Sequence, residues 1–348
     1  MAGTARPLPG AQDRRRVSRL AFGAMATQLI GTAVRMAVFD RIGDQAWHAE
    51  ELAARCATDP GATARLLRAL AGLGLLSETA PDTFATTTTG VLLRRDHPES
   101  MAALVTMFAE PTMLRAWEHL EDSVRTGERA FDTVFGRDFF GHLKRHPLLS
   151  EQFNTAMSQA TRDLAELLPY AYDFGRFTAV ADVGGGDGTL ISVLLSAHPE
   201  LRGIVYDTAE GLAQAPSVLE RKGLAGRCDL VTGDFLVAAP RGADAHVLKS
   251  VLHDWTDEQC AIILGHCRGA LPGNGRVLIV EPVLPECADG RQEGLAYLSD
   301  LNMLVNFGGR ERSRAEFEKL CGRSGLAVVS VTPLAEGSHI CLIEAQPD

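Results

Sequence analysis

The sequence is short of positive charge. Against 44 acidic residues stand 34 lysines and arginines, a net charge of -10, and no stretch forms the basic stripe that a polyanion such as nucleic acid demands. Lysine is scarce, since thirty of the 34 basic residues are arginine, a skew of GC-rich coding rather than of function. The seven cysteines (56, 228, 260, 267, 287, 321 and 341) are scattered and include no CxxC pair. That excludes a disulfide frame and a zinc site and points to reduced thiols in a cytoplasmic protein. No run approaches the ~20 apolar residues needed to span a membrane. Arg14-Arg15-Arg16 ahead of the apolar run from Leu20 to Val34 imitates a twin-arginine signal. Arg19 and Gln28 interrupt that run and no small-x-small cleavage site follows, so a helix at a subunit interface explains it better. What is present is ordinary: 348 residues, 46% hydrophobic and 22% charged, room for two domains with a sizeable core.

Residues 1–15 read as an irregular lead and residues 16–40 as a helix closed by Ile42-Gly43-Asp44. Ala49 to Leu92 then reads as helix, turn, helix, short strand and wing: Ala49–Cys56, a second helix opened by Asp59-Pro60, and a wing over Thr83–Thr89. Such a winged-helix pattern raises the question of DNA binding. Residues 1–110 hold twelve arginines and no lysine against eleven carboxylates, and the would-be recognition helix from Pro60 to Leu73 offers only Arg65 and Arg68. Phosphate recognition needs more positive charge. A dimerisation or lid role fits better. Residues 111–172 read as helical, Asp173-Phe174-Gly175 punctuates, and alternating strands and helices follow. Strands are expected at 179–183, 203–207, 227–231, 245–250, 275–280, 326–331 and 338–344, a mainly parallel sheet ending in an antiparallel edge hairpin.

The densest information lies in Asp182-Val183-Gly184-Gly185-Gly186-Asp187-Gly188-Thr189-Leu190. An apolar strand ends in glycines and passes directly into a helix, the place where a doubly wound sheet holds a nucleotide-like group. A dinucleotide fingerprint needs a sixth-place glycine, where this chain has Thr189. Glycines at 184, 186 and 188 instead match sites for S-adenosylmethionine (SAM). Asp207 ends the second strand, 19 residues after Gly188, where a carboxylate accepts hydrogen bonds from ribose hydroxyls; capping of the next helix is the lesser alternative. Gly233-Asp234-Phe235 follows the third strand, a carboxylate for an exocyclic amine and a ring for stacking on adenine. An ordinary loop explains that tripeptide equally well when it is taken alone.

The fourth strand continues as Lys249-Ser250-Val251-Leu252-His253-Asp254-Trp255, and Thr256 to Gln259 forms a capping box for the following helix. His253 is thereby confined to a loop beyond a strand's carboxyl end. The fifth strand, Arg276 to Val280, ends in Glu281. Neighbouring strands would open both side chains on the crevice of the glycine loop, where a histidine beside a carboxylate supports acid–base chemistry. A lone loop histidine is otherwise more often structural.

With these residues on view, the chain resembles the SAM-dependent O-methyltransferases of the plant caffeate and bacterial antibiotic-pathway type. The resemblance rests on VGGGDG (183–188), LKSVLHDW (248–255), VEPVLP (280–285) and GGRER (308–312). It implies a Rossmann-like, seven-stranded α/β class I methyltransferase domain (173–348), preceded by a mainly helical winged-helix-like dimerisation domain (1–110) and a helical pocket segment (111–172). By the same resemblance His253 is the general base, and Glu281 and Glu311 orient or polarise it. Gly184, Gly186, Asp207, Gly233, Asp234, Phe235, Lys249 and Ser250 are implied to hold SAM. Trp117, Phe153, Met157, Asp254, Asn302, Met303 and Asn306 are implied to line the pocket of a small aromatic acceptor. A homodimer through the N-terminal domain and no role for nucleic acid or membrane complete the picture. No divalent metal is implied, because no carboxylate cluster with cation-ligand spacing stands near the site in sequence. The alternative kept open is a methyltransferase-like enzyme that uses bound SAM for hydroxylation or rearrangement; a winged-helix regulator is disfavoured by charge.

Overall fold

The computed structural model describes residues 10–288 and 294–348; positions 1–9 of the expected irregular lead lie outside them. The chain divides into two compact units, Met1–Pro111 and Thr112–Asp348.

In the first unit, α1 (Ala11–Ala21), α2 (Gly23–Arg35) and α3 (Val38–Ile42) replace the single helix expected over 16–40. Residues 11–15 are helical because Asp13 accepts the Gly10 N–H at 2.7 Å and closes the first turn. The breaks fall at Phe22 and at Ala37, whose φ of +54° is left-handed. The strands β1 (Trp47–His48), β2 (Leu76–Ala80) and β3 (Thr83–Thr86) form an antiparallel sheet in the order β1-β3-β2. It packs with α4 (Ala49–Cys56) and α5 (Pro60–Gly72) around Phe39, Leu52, Leu67, Leu70 and Phe84. The expected wing over 83–89 stops early: Thr87 accepts the Gly90 N–H and starts the short helix α6 (Thr88–Val91), ahead of α7 (Ala102–Phe108).

The second unit carries α8 (Pro111–Trp117), α9 (Leu120–Thr126), α10 (Ala130–Phe135), α11 (Phe139–Leu143) and the long α12 (Pro147–Ala171). The sheet follows, with β4 (Ala179–Val183), β5 (Arg202–Asp207), β6 (Cys228–Thr232), β7 (Ala245–Lys249), β8 (Arg276–Leu284), β10 (Leu326–Pro333) and β11 (Ile340–Pro347) in the order β10-β11-β8-β7-β4-β5-β6. The two-residue β9 (Arg312–Ser313) pairs with the end of β8. The β6-to-β8 span is parallel and the β10–β11 hairpin antiparallel at the edge. Alternate residues of a strand serve opposite faces: Leu278 and Val280 join the core with α13 (Thr189–Ala197), while Val277 and Ile279 join that with α15 (Asp257–Ala270). Strand order reverses between β4 and β7, so the crevice of a doubly wound sheet opens there, beyond the carboxyl ends of both strands. One expectation needs correction. The fifth strand does not end at Glu281 but runs on to Leu284, because Glu281 still pairs with Cys341 of β11 and Val283 with Arg312 of β9.

Candidate active site

The glycine loop joins β4 to α13 with Gly184, Gly186 and Gly188 at φ of +75°, +55° and +75°, a backbone that side-chain-bearing residues adopt only under strain. A Cβ on Gly184 would also stand 2.7 Å from Val251 Cγ2, so the loop presses against the segment after β7. Asp207 reaches back from β5: its Oδ2 accepts the Gly186 N–H at 2.9 Å and its Oδ1 the Thr208 N–H at 2.6 Å. Burial raises its pKa despite those donors. At the end of β6, Gly233 donates to the Asp207 carbonyl and a Cβ there would collide with the Tyr206 ring. The Asp234 Oδ1 accepts the Leu236 N–H at 2.8 Å, and the Phe235 ring meets Trp255 edge-on at 5.7 Å. Lys249 ends β7 half-buried, with its Nζ donating to Thr161 Oγ1 at 3.0 Å; loss of solvent around it brings its ammonium down to about 8. Ser250 is one of the few non-glycine residues at positive φ, +52°, a strain of the kind concentrated at functional sites. All eight residues expected to hold SAM thus stand at the carboxyl ends of four adjacent strands.

His253 lies in the single turn after β7 and is 14% exposed. Its Nδ1 bonds to Glu311 Oε1 at 3.1 Å, and its Nε2 stands 3.6 Å from Asp254 Oδ1. Glu311 Oε1 also accepts the Ser299 hydroxyl at 2.8 Å, and its N–H donates to Asp300 at 2.8 Å. Glu281 acts on the backbone of the turn rather than on the ring. Its Oε1 accepts the backbone N–H groups of Val251, Leu252 and His253 at 3.0, 2.6 and 3.3 Å, so it holds the turn that carries the imidazole and makes no hydrogen bond to the ring. Side-chain atoms of His253, Glu281 and Glu311 nonetheless lie within 4.8 Å of one another. Carboxylates far apart in sequence do cluster here, contrary to the expectation of none. Burial pushes the imidazole pKa down, but Asp254, Glu311 and Glu281 outweigh it and raise it to about 10. Burial raises Asp254 to about 7 and lifts Glu281 as well.

The residues expected to line the acceptor pocket fall into two groups. Trp117 Nε1 donates to Asn302 Oδ1 at 3.0 Å and Asn306 Nδ2 donates to the same oxygen at 2.9 Å. Asn302 closes α16 (Leu295–Asn302), and buried Met303 begins a π-turn, Met303–Phe307. Ser299, one turn before, ties this group to Glu311. The second group is aromatic. Phe153 of α12 packs at 5.2 Å on Phe139, and Phe140 stacks on Trp255 at 5.7 Å; Met157 follows one turn after Phe153, half-buried. A cavity of about 300 Å³ beside the turn after β7 is lined by Phe139, Phe140, Asp254, Trp255 and Phe307, with Arg129 among its polar residues.

Other side chains here went unread. The Arg312 guanidinium, fully buried, donates to the carbonyls of Leu252 and Trp255 and to the Asp257 carboxylate, all at 2.8–3.0 Å. It braces the His253 turn from beneath. Along α12, Asn154, Ser158 and Thr161 lie on one face and reach the Glu210 carbonyl, Asp187 and Lys249. The signal for Arg312 was its place in GGRER; nothing in the sequence marked the α12 stripe.

A sheet in this strand order, with its glycine loop at the switch point and an acid-flanked histidine opposite, defines a class I SAM-dependent methyltransferase. The cradle fits the donor: the left-handed glycines keep Cβ atoms out of it and a carboxylate edges it. Comparison with known proteins narrows the class. Residues 117–327 match the O-methyltransferase domain model and residues 18–96 the O-methyltransferase dimerisation domain model. The chain is 43% identical to O-demethylpuromycin-O-methyltransferase of Streptomyces alboniger, over 97% of this chain and 90% of that one. The crystal structure of LaPhzM matches with a TM-score of 0.90 at 36% identity, covering 96% and 99% of the two chains. An O-methyltransferase from neocarzinostatin biosynthesis, solved with SAM and 2-hydroxy-5-methyl naphthoic acid, matches with a TM-score of 0.77 at 33% identity, covering 93% and 96%. The chain belongs to the O-methyltransferase family, and SAM is its methyl donor. Among the described residues no helix is long and apolar enough to cross a membrane, and all seven cysteines are free thiols.

Proposed function

We propose that this enzyme moves the SAM methyl group to a phenolic hydroxyl of an aromatic natural-product intermediate, with His253 as the general base. SAM supplies a methyl group already activated by its sulfonium; the chain must supply alignment and take a proton. An imidazole at its ordinary ~6.5 would face a transfer about 5 kcal/mol uphill from a phenol near ~10. With Glu311 on Nδ1 and Asp254 beside Nε2, proton affinity rises above the ordinary value toward that of the phenol, so the penalty for transfer falls. Glu281 and Arg312 are positioning residues for the turn. The observation that carries this reading is the Nδ1–Glu311 bond, which leaves Nε2, beside Asp254, as the nitrogen that takes the proton. An aromatic acceptor is supported by the ring-lined cavity and by the naphthoic acid bound to the neocarzinostatin-pathway relative.

In this reading residues 173–348 hold the donor through Gly184, Gly186, Asp207, Gly233, Asp234, Phe235, Lys249 and Ser250. Segment 111–172 contributes Trp117, Phe153 and Met157 to the acceptor side, joined by Asp254, Asn302, Met303 and Asn306. Residues 1–110 pair two copies in the cytoplasm. Support for pairing comes from the matched dimerisation model and from Val17, Leu20, Phe22 and Met25, each at least 60% exposed along α1, α2 and the break between them. Non-methylating use of SAM finds no favour among relatives that are named for methyl transfer. The test is transfer of radiolabelled methyl from SAM to a panel of phenols, naphthols and hydroxynaphthoic acids. Labelled methyl ether is expected, and its absence across the panel with SAM bound would overturn the assignment.

A further inference from the structure

His253 is packed among more negative charge than one imidazolium balances. Asp254 Oδ1 lies 3.6 Å from Nε2, Glu311 Oε1 lies 3.1 Å from Nδ1, and Glu281 completes a cluster whose atoms lie within 4.8 Å. The Oε2 atoms of both Glu281 and Glu311 are buried with no hydrogen-bond partner. The cations of the surrounding elements offset this charge in part: Lys249 at the end of β7, hydrogen-bonded to Thr161, acts on Asp254, and Arg312 of β9, paired with Asp257, acts on Glu281. Asp300 of α16 adds a further acid, bonded to the Glu311 N–H. The carboxylates around this one imidazole hold a proton on it, against the desolvation that burial imposes. A protonated imidazole cannot accept the acceptor's proton. The resting site is therefore switched off as a base.

We propose that the cationic sulfonium of the donor is the switch: its arrival displaces the proton from His253 to solvent, so that the base becomes competent only when methyl is present to be transferred. The inference rests on the functional reading above and adds the role of charge exchange within the acidic cluster. The proton balance closes. Donor binding brings one positive charge in and releases one proton. In turnover the neutral imidazole takes the acceptor hydroxyl proton while the oxygen–carbon bond forms and the carbon–sulfur bond breaks. The thioether product S-adenosylhomocysteine (SAH) is neutral at sulfur, so the cluster keeps its single cation, now the imidazolium. SAH carries no charge able to displace that proton and leaves the site in its resting form.

One added unit charge close to an ionised group weakens its proton affinity by about one to three orders of magnitude. For an imidazole that starts near 10, a shift of about two orders turns a mostly protonated ring at pH 8.5 into a mostly neutral one. The experiment is titration calorimetry of the full chain with SAM and with SAH at pH 8.5, in two buffers of different ionisation enthalpy. The slope of apparent enthalpy against buffer enthalpy counts protons. SAM is expected to release about half a proton or more beyond SAH, and His253→Ala, still binding both, to abolish that excess. An excess that survives in His253→Ala belongs to the donor's own amine and overturns the proposal, as do equal proton counts in the wild type. Nitrogen NMR of ¹⁵N-histidine-labelled wild type gives a reading that needs no variant. The His253 ring is expected to show imidazolium shifts with SAH and neutral-imidazole shifts with SAM, and identical shifts refute the switch. Failure of SAM to bind at all would instead count against the functional reading.

Discussion

Glu311→Gln isolates the charge of the carboxylate from its shape. The amide oxygen can still accept the Nδ1–H that Glu311 accepts at 3.1 Å, and it can still accept the Ser299 hydroxyl, so the ring keeps its orientation and its free Nε2. What is lost is one buried negative charge beside the imidazolium formed during turnover. At an effective dielectric of ~20 two unit charges ~4 Å apart interact by about 4 kcal/mol, and a hydrogen bond between charged partners is worth about 1.5–3 kcal/mol. A net loss of about 2–3 kcal/mol follows, a drop of roughly 30- to 150-fold in kcat. The direction of the pH change also follows: removing an anion favours neutral imidazole, so the limb of the kcat–pH profile governed by His253 moves to lower pH. The assay is SAH formation by chromatography at saturating SAM from pH 6 to 10, with KM for SAM followed in parallel. Turnover within about threefold of wild type, with an unmoved limb, would refute the idea that Glu311 tunes His253 by charge.

Two further outcomes concern what holds the turn, and a third concerns a buried histidine of β7. Glu281→Ala strands three backbone N–H groups and should cost about 3 kcal/mol in urea unfolding, whereas Glu281→Gln, which keeps an acceptor oxygen, should recover most of it; equal losses would show that charge rather than acceptance matters. Arg312→Met removes a buried guanidinium from two carbonyls and from Asp257 and should destabilise by about 3 kcal/mol; a midpoint unchanged within error would remove Arg312 from the support of the loop. His246, fully buried with Nε2 on the Pro240 carbonyl, is lowered by burial to about 4. An unfolded histidine binds its proton near ~6.5, so this stability is present above ~6.5 and is lost as pH falls through the folded value, about 3 kcal/mol in all. Urea midpoints of wild type and His246→Gln should converge toward pH 4, and a constant gap would contradict that.

The sheet was legible because its strands are short apolar runs with clear punctuation: 179–183 stops at glycines and 245–249 at a lysine and a capping box. The same punctuation located Asp207, Asp234 and His253, since Asp207 ends β5 and the other two stand two and four residues past the ends of β6 and β7. Legibility failed where the deciding partner lies far along the chain. Whether Glu281 faces the ring or the backbone of the turn depends on how β8 continues beside β11, and Arg312 acquires its meaning from carbonyls 57–60 residues earlier. Local propensity also misled at the first helix, where one Asp13–Gly10 bond orders residues expected to be irregular. The α12 stripe of Asn154, Ser158 and Thr161 was hidden because polar residues at helical spacing look the same whether they face solvent or a strand end.

Proton transfer to one nitrogen of His253 is the central step. The most direct test pairs two numbers on His253→Ala: the Kd for SAM by calorimetry and the single-turnover rate of labelled methyl transfer to a phenolic acceptor at pH 7.5. A Kd within a few-fold of wild type with a rate reduced by about 100-fold or more is the predicted result. Near-normal transfer by the alanine variant at that pH would contradict it.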